Sequence, residues 1–338
     1  MRILFLLFLF FTSFVSVGQE NLEDLLAAGI QDAQRFATAY ISPAAEGLIH
    51  NNSNGWIQSA EVKSPLKFDI SIVGNATFVK DKHQKFTLNT AEYNNLRFRD
   101  GSTSKEVATA FGENSPDVMV YSVVQSGPVT EEVEFLLPQG LASVNMNIMP
   151  SAFLQARLGL FKGTEIKVRY FPKIKQEDVK VGLYGVGLQH EFTSWLPAEK
   201  LFPVAISGFI AYNSLSGNYD FTNSTIISGR DQHFDVKQNS WLFQLQASTK
   251  FPVINFYGGL GYISGTSDFN VLGTYQVNAG IPFLEDTSEF NSPFSVKNKV
   301  SGVRGTIGAN LRLGFFGMHA DYNFGEFDHA SVGLHFGI

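Results

Sequence analysis

Histidine and serine are the residues of this sequence that could carry a reaction. The seven histidines are scattered over the chain, and none has a metal-binding spacing such as H-E-x-x-H. His329 and Ser331 are two residues apart, so a strand would place them on one face, where a lipid hydrolase would need its base and nucleophile. This signal is weak, and solvated residues on the polar face of a strand are the simpler explanation of the pair. We therefore expect no catalytic residue, no metal, no cofactor and no enzymatic activity.

Charged residues on one face of predicted strands are the second candidate for chemistry. Basic side chains outnumber acidic ones on this face, so a lumen that they line would bind the anionic head group of a ligand. The alternative is an internal ladder of ion pairs that fills a narrow barrel, which is the usual arrangement of buried charges. The candidate ligand-binding residues are Arg157, Lys167, Arg169, Arg304, Arg312 and Asp321.

The first 18 residues have the pattern of a secretory signal peptide. A positive start at Met1-Arg2 precedes an apolar stretch over 3–14, and Ser16 and Gly18 supply small residues for cleavage before Gln19. The apolar stretch is shorter than the roughly 20 residues that a membrane-spanning helix needs. The chain has no cysteine, which excludes a lipid-anchored cysteine, disulfides and thiolate metal sites.

The composition favours a β-barrel in a membrane. The chain has 32 Phe, 31 Gly and 11 Tyr, and 17% of its residues are charged, against about 25% in soluble proteins. No later segment is a run of 18 apolar residues, so no helical span is predicted. The net charge is −6 without a block of like charge, so nucleic acid is not an expected partner. A large soluble β-protein remains the alternative.

From Leu66 onwards, apolar and polar residues alternate with the period of two that is typical of strands. The predicted strands are 66–80, 151–161, 163–172, 179–191, 203–216, 238–250, 253–264, 298–313, 316–324 and 329–338. Three short turns, at 161–163, 250–252 and 314–317, fall at one end, and two long polar connections, at about 217–237 and 265–297, fall at the other. Barrels of bacterial outer membranes have short periplasmic turns and longer outer loops.

This pattern predicts an all-β transmembrane antiparallel barrel of 10–14 strands, spanning 66–338, in the outer membrane of a Gram-negative bacterium. Both termini are expected to be periplasmic. Residues 81–150 alternate weakly and form either an extra hairpin, from 118–124 and 131–137, or an outer lid. The amphipathic link 192–202 suggests a short helix at the inner rim.

Residues 19–65 are predicted to form a plug or cap. A helix over Leu22–Tyr40 has one apolar face, which includes Leu25, Leu26, Phe36 and Tyr40, and Pro43 marks its end. Residues 41–65 are rich in Gly, Asn, Ser and Pro, with Trp56 in the middle. The helix either enters the barrel, covers its periplasmic mouth or lies at the membrane interface.

Several short segments resemble an uncharacterised family of outer-membrane barrels from Bacteroidota. These are Ala39-Tyr40-Ile41-Ser42-Pro43, Asn52-Ser53-Asn54-Gly55-Trp56, Lys67-Phe68-Asp69-Ile70-Ser71, and Leu188-Gln189-His190-Glu191 followed by Trp195-Leu196-Pro197. The resemblance covers nearly all of the mature chain and implies no known activity. The order of helix and barrel is also loosely similar to that of the long-chain fatty-acid transporter type.

The function expected from these features is passive uptake of a small hydrophobic or amphipathic molecule. The expected partners are outer-membrane lipid and that small ligand. The alternative is a structural or assembly subunit of an envelope complex, with another envelope protein as its partner and no transport activity.

Overall fold

The computed structural model of the protein describes residues 29–126, 129–176, 179–196, 203–220, 228–278 and 287–337. One long helix, α1, spans Ile30–Asn52. The strands are β1 Phe68–Phe78, β2 Lys85–Asn89, β3 Leu96–Phe98, β4 Ser104–Ala108, β5 Met119–Ser126, β6 Val129–Leu136, β7 Ile148–Phe161, β8 Thr164–Gln176, β9 Val179–Glu191, β10 Val204–Asp220, β11 Ser228–Thr249, β12 Ile254–Asn278, β13 Thr287–Asn291, β14 Phe294–Leu313, β15 Phe316–Phe324 and β16 Asp328–Gly337.

Ten of these strands close into an antiparallel barrel. Their order is β11-β10-β9-β8-β7-β1-β16-β15-β14-β12, and the pairing of β11 with β12 closes the ring. The alternation of side chains follows the sequence pattern, as in β1, where Ile70 and Ile72 are exposed while Asp69 and Ser71 are buried inside. The predicted fold, a transmembrane barrel of 10–14 strands with an N-terminal helix, is confirmed.

The outer wall carries an apolar band between two sets of aromatic residues. At the end with the short turns, which we call the short-turn end, these are Phe68, Phe161, Phe192, Trp195, Phe256, Phe315 and Phe336. At the opposite end they include Phe78, Tyr170, Tyr184, Trp241, Tyr262 and Phe324. On β1 the two sets are joined by residues 68–78, which at about 3.3 Å per residue and a tilt of about 40° gives a band roughly 25 Å high. This is the height of the apolar band of bilayer-spanning barrels.

One sector of the barrel extends far beyond this band. β11 and β12 have 22 and 25 residues, whereas about 9–11 residues suffice to cross a bilayer. The long loops predicted at about 217–237 and 265–297 were therefore wrong over most of their length, because β10 runs to Asp220, β11 begins at Ser228 and β12 continues to Asn278. A segment with polar residues on both faces resembles a loop in the sequence. The same pattern is also compatible with a strand whose two faces are both exposed to water.

Residues 81–147 form a lid at the end opposite to the short turns. β2 pairs with β4, and β3, β5 and β6 form a second small sheet. The predicted hairpin exists as β5–β6, but it belongs to the lid and adds no strand to the barrel. The lid, the first half of α1 and the strand extensions share one apolar core, which includes Phe36, Leu88, Phe98, Phe111, Phe135, Tyr275, Phe294 and Phe327.

The helix differs from its prediction at both ends. Residues 22–28, with Leu25 and Leu26, lie outside the described residues, and the predicted stop at Pro43 was wrong because α1 continues to Asn52. A proline removes one backbone donor, but here the following turns are buried: Ala45 and Ile49 are fully inside. Burial of these turns within the barrel outweighs the lost hydrogen bond.

The described chain starts at the lid end and passes through the barrel to the short-turn end. The Asp32 carboxylate accepts hydrogen bonds from the backbone N–H groups of Asn94, Asn95 and Leu96 in the lid. Gly29 therefore lies at the opposite end of the barrel from Gly337, and the N terminus itself lies outside the described residues. Among the helices that the structure describes, none has the length and apolarity to cross a membrane.

The link after β9 matches its prediction in part. Residues Phe192–Trp195 form one turn of 3-10 helix, and Trp195 is exposed beside Lys162, whose Nζ lies 5.7 Å from the ring centroid. Residues 197–202, the rest of the predicted interfacial segment, lie outside the described residues.

Lid stability is expected to fall in mild acid because of His83. Its ring stacks on Phe327 at 4.1 Å, and burial lowers the pKa of His83 below its usual 6.5. As the pH falls below 6.5, His83 takes up a proton more readily in the opened lid than in the folded lid. The folded lid is therefore destabilised, and its backbone amides lose protection from hydrogen exchange. Hydrogen exchange of residues 81–88, corrected for intrinsic rates, measures this loss. His83→Phe keeps the stacking and should reduce the pH dependence; an unchanged pH dependence in that variant would contradict the assignment.

Candidate functional site

The lumen is occupied by the end of α1 and by residues 53–65, which together we call the plug. Its contacts with the wall are mostly polar hydrogen bonds. Wall side chains on three strands, β1, β10 and β11, take part: Asn52 bonds with Gln238 at 2.9 Å, Ser53 with Ser240 at 3.1 Å, Trp56 with Asn213 at 3.2 Å, Gln58 with Ser71 at 2.8 Å and Ser59 with Ser248 at 3.1 Å. Because successive plug residues bond to successive levels of the wall, the plug has one defined register.

Arg169 binds the carboxyl end of the helix. Its guanidinium lies between the rings of Trp56 and Phe153, 4.0 and 3.8 Å from their centroids. It donates hydrogen bonds to the backbone carbonyls of Asn52, at 3.0 Å, and Asn54, at 2.7 Å. The last carbonyls of a helix lack partners and carry the negative end of its dipole, so a cation is the group that satisfies both needs.

Arg304 approaches the same end of the helix from the other side of the barrel. It donates to the Ser53 carbonyl at 3.0 Å, to Asn54 Oδ1 at 2.7 Å and to Gln244 Oε1 at 2.8 Å. Within the described part of the chain, no carboxylate oxygen lies within 4.0 Å of either guanidinium. Two buried cations therefore depend on neutral acceptors, most of which the plug supplies.

Towards the short-turn end, the charges form a ladder of mixed sign. Arg157 Nε lies 2.6 Å from Asp69 Oδ2, and Lys167 Nζ lies 3.4 Å from Glu165 Oε1. Lys167 also donates to the Trp56 carbonyl at 2.9 Å. Pairing and hydrogen bonding of this kind compensate the cost of removing charges from water. The sequence-based alternative of an ion-pair ladder describes this half of the lumen.

Two glutamates fix the plug where it leaves the lumen. Glu165 Oε2 accepts from the Lys63 N–H at 2.8 Å, and Glu191 Oε2 accepts from the Val62 N–H at 3.1 Å. Lys250 pairs with Glu191 at 3.0 Å. Glu191 was missed by the sequence analysis because it is the last residue of its strand, where alternation gives no information about its partner.

The structure brings most of the predicted site residues together. Arg157, Lys167, Arg169, Arg304 and Asp321 are buried in the lumen. Arg312 lies instead at the short-turn mouth, where it is 31% exposed and pairs with Glu61 at 2.9 Å. That any of them binds a ligand stays a prediction.

The predicted plug residues divide between two places. Trp56 lies fully buried in the lumen, whereas Phe36 is buried in the core beneath the lid. Tyr40 lies beside Phe36 and donates to the Gln139 carbonyl at 2.7 Å. The apolar face of the helix therefore packs mainly against the lid, and the polar residues that follow it fill the lumen.

An apolar cluster also lines the lumen, on strands that carry polar inner residues as well. Phe209, Leu242, Tyr257 and Ile263 point inward from β10, β11 and β12 and pack with Ile49, Trp56 and Ile57 of the plug. The lumen thus contains both cationic and apolar groups, and the plug covers both. Sequence analysis missed the apolar cluster because strands that alternate equally well can carry either kind of inner residue.

His329 and Ser331 do not form a nucleophile–base pair. His329 Nδ1 lies 2.7 Å from Thr77 Oγ1, and Ser331 is opposite Asp321 and Asn75 in the ladder. No hydrogen bond joins the two residues in the described part of the chain. Among the described residues, no group of three or more His, Asp or Glu side chains is placed to hold a metal ion.

These features define a class of protein: a closed ten-strand barrel with an apolar outer band, a polar lumen and an internal plug is a transmembrane β-barrel of the outer-membrane type. The chain belongs to a family of unknown function (DUF6588), whose model matches residues 1–338. No curated protein matches this sequence.

Several solved structures are similar to the chain in architecture. The outer membrane protease OmpT from Escherichia coli has 8% identity and a TM-score of 0.32, with 83% of this chain and 100% of that chain covered. Ail, the attachment invasion locus protein of Yersinia pestis, has 11% identity and a TM-score of 0.24, with 80% and 97% covered. The translocator domain of the autotransporter NalP from Neisseria meningitidis has 11% identity and a TM-score of 0.25, with 90% and 96% covered.

Replacing Arg169 is expected to loosen the plug without unfolding the barrel. Arg169→Met keeps an unbranched side chain between the two rings but leaves the carbonyls of Asn52 and Asn54 unsatisfied. Each such loss costs about 1–3 kcal/mol, so hydrogen exchange in residues 52–60 should accelerate at least about tenfold. Exchange in β8 and β9 should not change.

The matched control is Arg230→Met, because Arg230 is an exposed arginine on β11. It should leave the exchange of residues 52–60 as it is in the unaltered protein. Equal exchange in the Arg169→Met and Arg230→Met proteins would contradict the role given to Arg169.

Proposed function

We propose that this chain is a bacterial outer-membrane barrel that is closed at rest by its plug and admits a small amphipathic molecule with an anionic head group when the plug moves. The observation that carries the proposal is the mixed lining of the lumen. Lys167, Arg169 and Arg304 donate to plug carbonyls, and Phe209, Tyr257 and Ile263 pack against plug side chains.

The plug presents to the lumen the same two kinds of group as such a molecule would, hydrogen-bond acceptors and apolar side chains. Its carbonyl oxygens stand where an anionic head group would accept hydrogen bonds, and Ile57 and Trp56 stand where an apolar tail would pack. A guanidinium binds an anionic oxygen more strongly than a neutral carbonyl, because both partners are then charged, so an anion competes well for Arg169 and Arg304. The predicted ligand-binding role of these arginines is retained in this form.

The proposal includes an orientation. The short turns and Gly337 face the periplasm, and the lid with the extensions of β11 and β12 faces outwards, as is usual for barrels of this class. Outer-membrane lipid then surrounds the apolar band. No nucleic acid, cofactor or enzymatic activity is part of the proposal.

A structural or assembly role is the second candidate. It is favoured by the large unit beyond the membrane, whose lid exposes Met119, Leu136 and Val144 by 41–53%. Such side chains could contact another envelope protein. Purification in mild detergent without a stoichiometric partner would count strongly against this role.

Conductance in planar bilayers tests the uptake proposal. The unaltered protein should show no steady current, because the plug fills the lumen. Urea at concentrations that leave the barrel folded should release the plug and produce a reversible current that prefers chloride over potassium, measured as the reversal potential in a KCl gradient. The preference for chloride arises from the cationic side chains of the lumen that the released plug no longer covers.

Arg169→Gln combined with Arg304→Gln should reduce this anion preference, whereas the exposed control Arg230→Gln should retain it. A large, constitutively open current in the unaltered protein would refute the closed state. A lumen that prefers cations once it is opened would refute the anionic head group.

A further inference from the structure

The short-turn mouth of the barrel contains a cavity that adjoins the lumen at Arg157. Its volume is about 230 Å³, and it lies between the exit of the plug, the β14–β15 turn and the end of β16. Four basic side chains line it, from Lys63, Lys67, Arg157 and Arg312, together with one acidic side chain, from Glu61. The cavity is therefore strongly cationic.

The acidic residues nearby do not balance these charges. Lys63 Nζ and Arg157 Nε share a single oxygen of Asp69, at 3.3 and 2.6 Å. Arg312 pairs with Glu61, and Lys67 has no ion pair among the described residues. Arg157 Nη1 also lies 4.0 Å from Glu165 Oε1, so four cations face three carboxylates. The side chains of Lys63 and Arg312 remain 23% and 31% exposed, so that their free N–H groups are accessible.

The turn that positions Lys63 and Lys67 has an unusual backbone conformation. Leu66 has a φ of 65°, which is rare and strained for a residue with a side chain, and it is 82% exposed. The turn is clamped: the Leu66 N–H donates to the Gly159 carbonyl at 2.9 Å, and the Lys67 N–H donates to the Ser64 carbonyl at 3.0 Å. A Cβ at Gly159 would come within 2.2 Å of the Ser64 oxygen, so this close approach requires glycine.

The position of the cavity indicates the source of its ligand. Phe315 and Phe316 line it, and Phe315 is 71% exposed among the aromatic residues of the short-turn end. Aromatic girdles mark the head-group level of a bilayer, and basic pockets at that level bind anionic lipid head groups. An apolar tail could continue from the cavity along the outer wall past Phe336.

We propose that this cavity binds a phosphate group, held by Lys63, Lys67 and Arg312, and that an anionic phospholipid of the adjoining leaflet supplies it. Lys63 belongs to the plug and Lys67 to the turn that joins it to β1. A bound phosphate therefore also fastens the exit of the plug to the barrel. This proposal is independent of what passes through the lumen.

Lipid retention in native mass spectrometry tests the site. The full-length mature protein is extracted from nanodiscs that contain phosphatidylglycerol and phosphatidylcholine. The unaltered protein should retain phosphatidylglycerol preferentially, and Lys67→Gln combined with Arg312→Gln should weaken this retention about tenfold or more, since hydrogen bonds to charged groups are lost. Glu61→Gln removes the competing carboxylate and should strengthen retention.

Lys162→Gln is the matched control, because Lys162 is a lysine at the same end of the barrel that does not line the cavity. It should leave retention unchanged, and heat-modifiable gel migration shows that each variant is folded. A second arm titrates inorganic phosphate against the retained lipid. Displacement by phosphate at low concentration, without preference for phosphatidylglycerol, would support the phosphate site but overturn its lipid source. Equal retention in all variants would overturn the site itself.

Discussion

Two buried arginines that bind the carboxyl end of one helix are the interaction on which the rest of the structure depends. Arg169 and Arg304 come from opposite sides of the barrel and meet at Asn54. A guanidinium loses hydration when it enters a protein, so it stays there only if most of its donors find acceptors. The helix end supplies these acceptors, and without the plug the barrel would contain two uncompensated charges. Plug and barrel therefore stabilise each other.

The position of the helix end determines what lies at each mouth. With Asn52 fixed in the lumen, the first half of α1 must emerge at the far end, where its apolar face needs cover and the lid provides it. The residues after Asn54 must run to the short-turn end, where Glu191 and Glu165 accept the N–H groups of Val62 and Lys63. A single polar segment thus connects an apolar core beyond the membrane with a charged mouth at the other side.

The sequence predicts the barrel well because each membrane-spanning strand alternates between lipid and lumen, and that alternation depends only on local residue types. The sequence-based prediction is wrong where tertiary contacts determine the secondary structure. Pro43 looks like a helix end but lies in a helix that the barrel buries, and Asn270 lies in a strand although its neighbours look like a loop. The charged lumen residues were predictable from their face. Their partners were not, since a backbone carbonyl such as that of Asn52 has no signature in a sequence.

The closed lumen, with the plug in one register, can be tested most directly by cross-linking, because the chain has no cysteine of its own. The hydroxyl oxygens of Ser53 and Ser240 are 3.1 Å apart, a spacing from which a disulfide can form. We predict that Ser53→Cys with Ser240→Cys cross-links in outer membranes, as shown by mass spectrometry of the linked peptides. Ser53→Cys with Ser248→Cys, roughly 26 Å further along β11, should not. Failure of the first pair in folded protein, or equal cross-linking of both pairs, would contradict a plug held in this register.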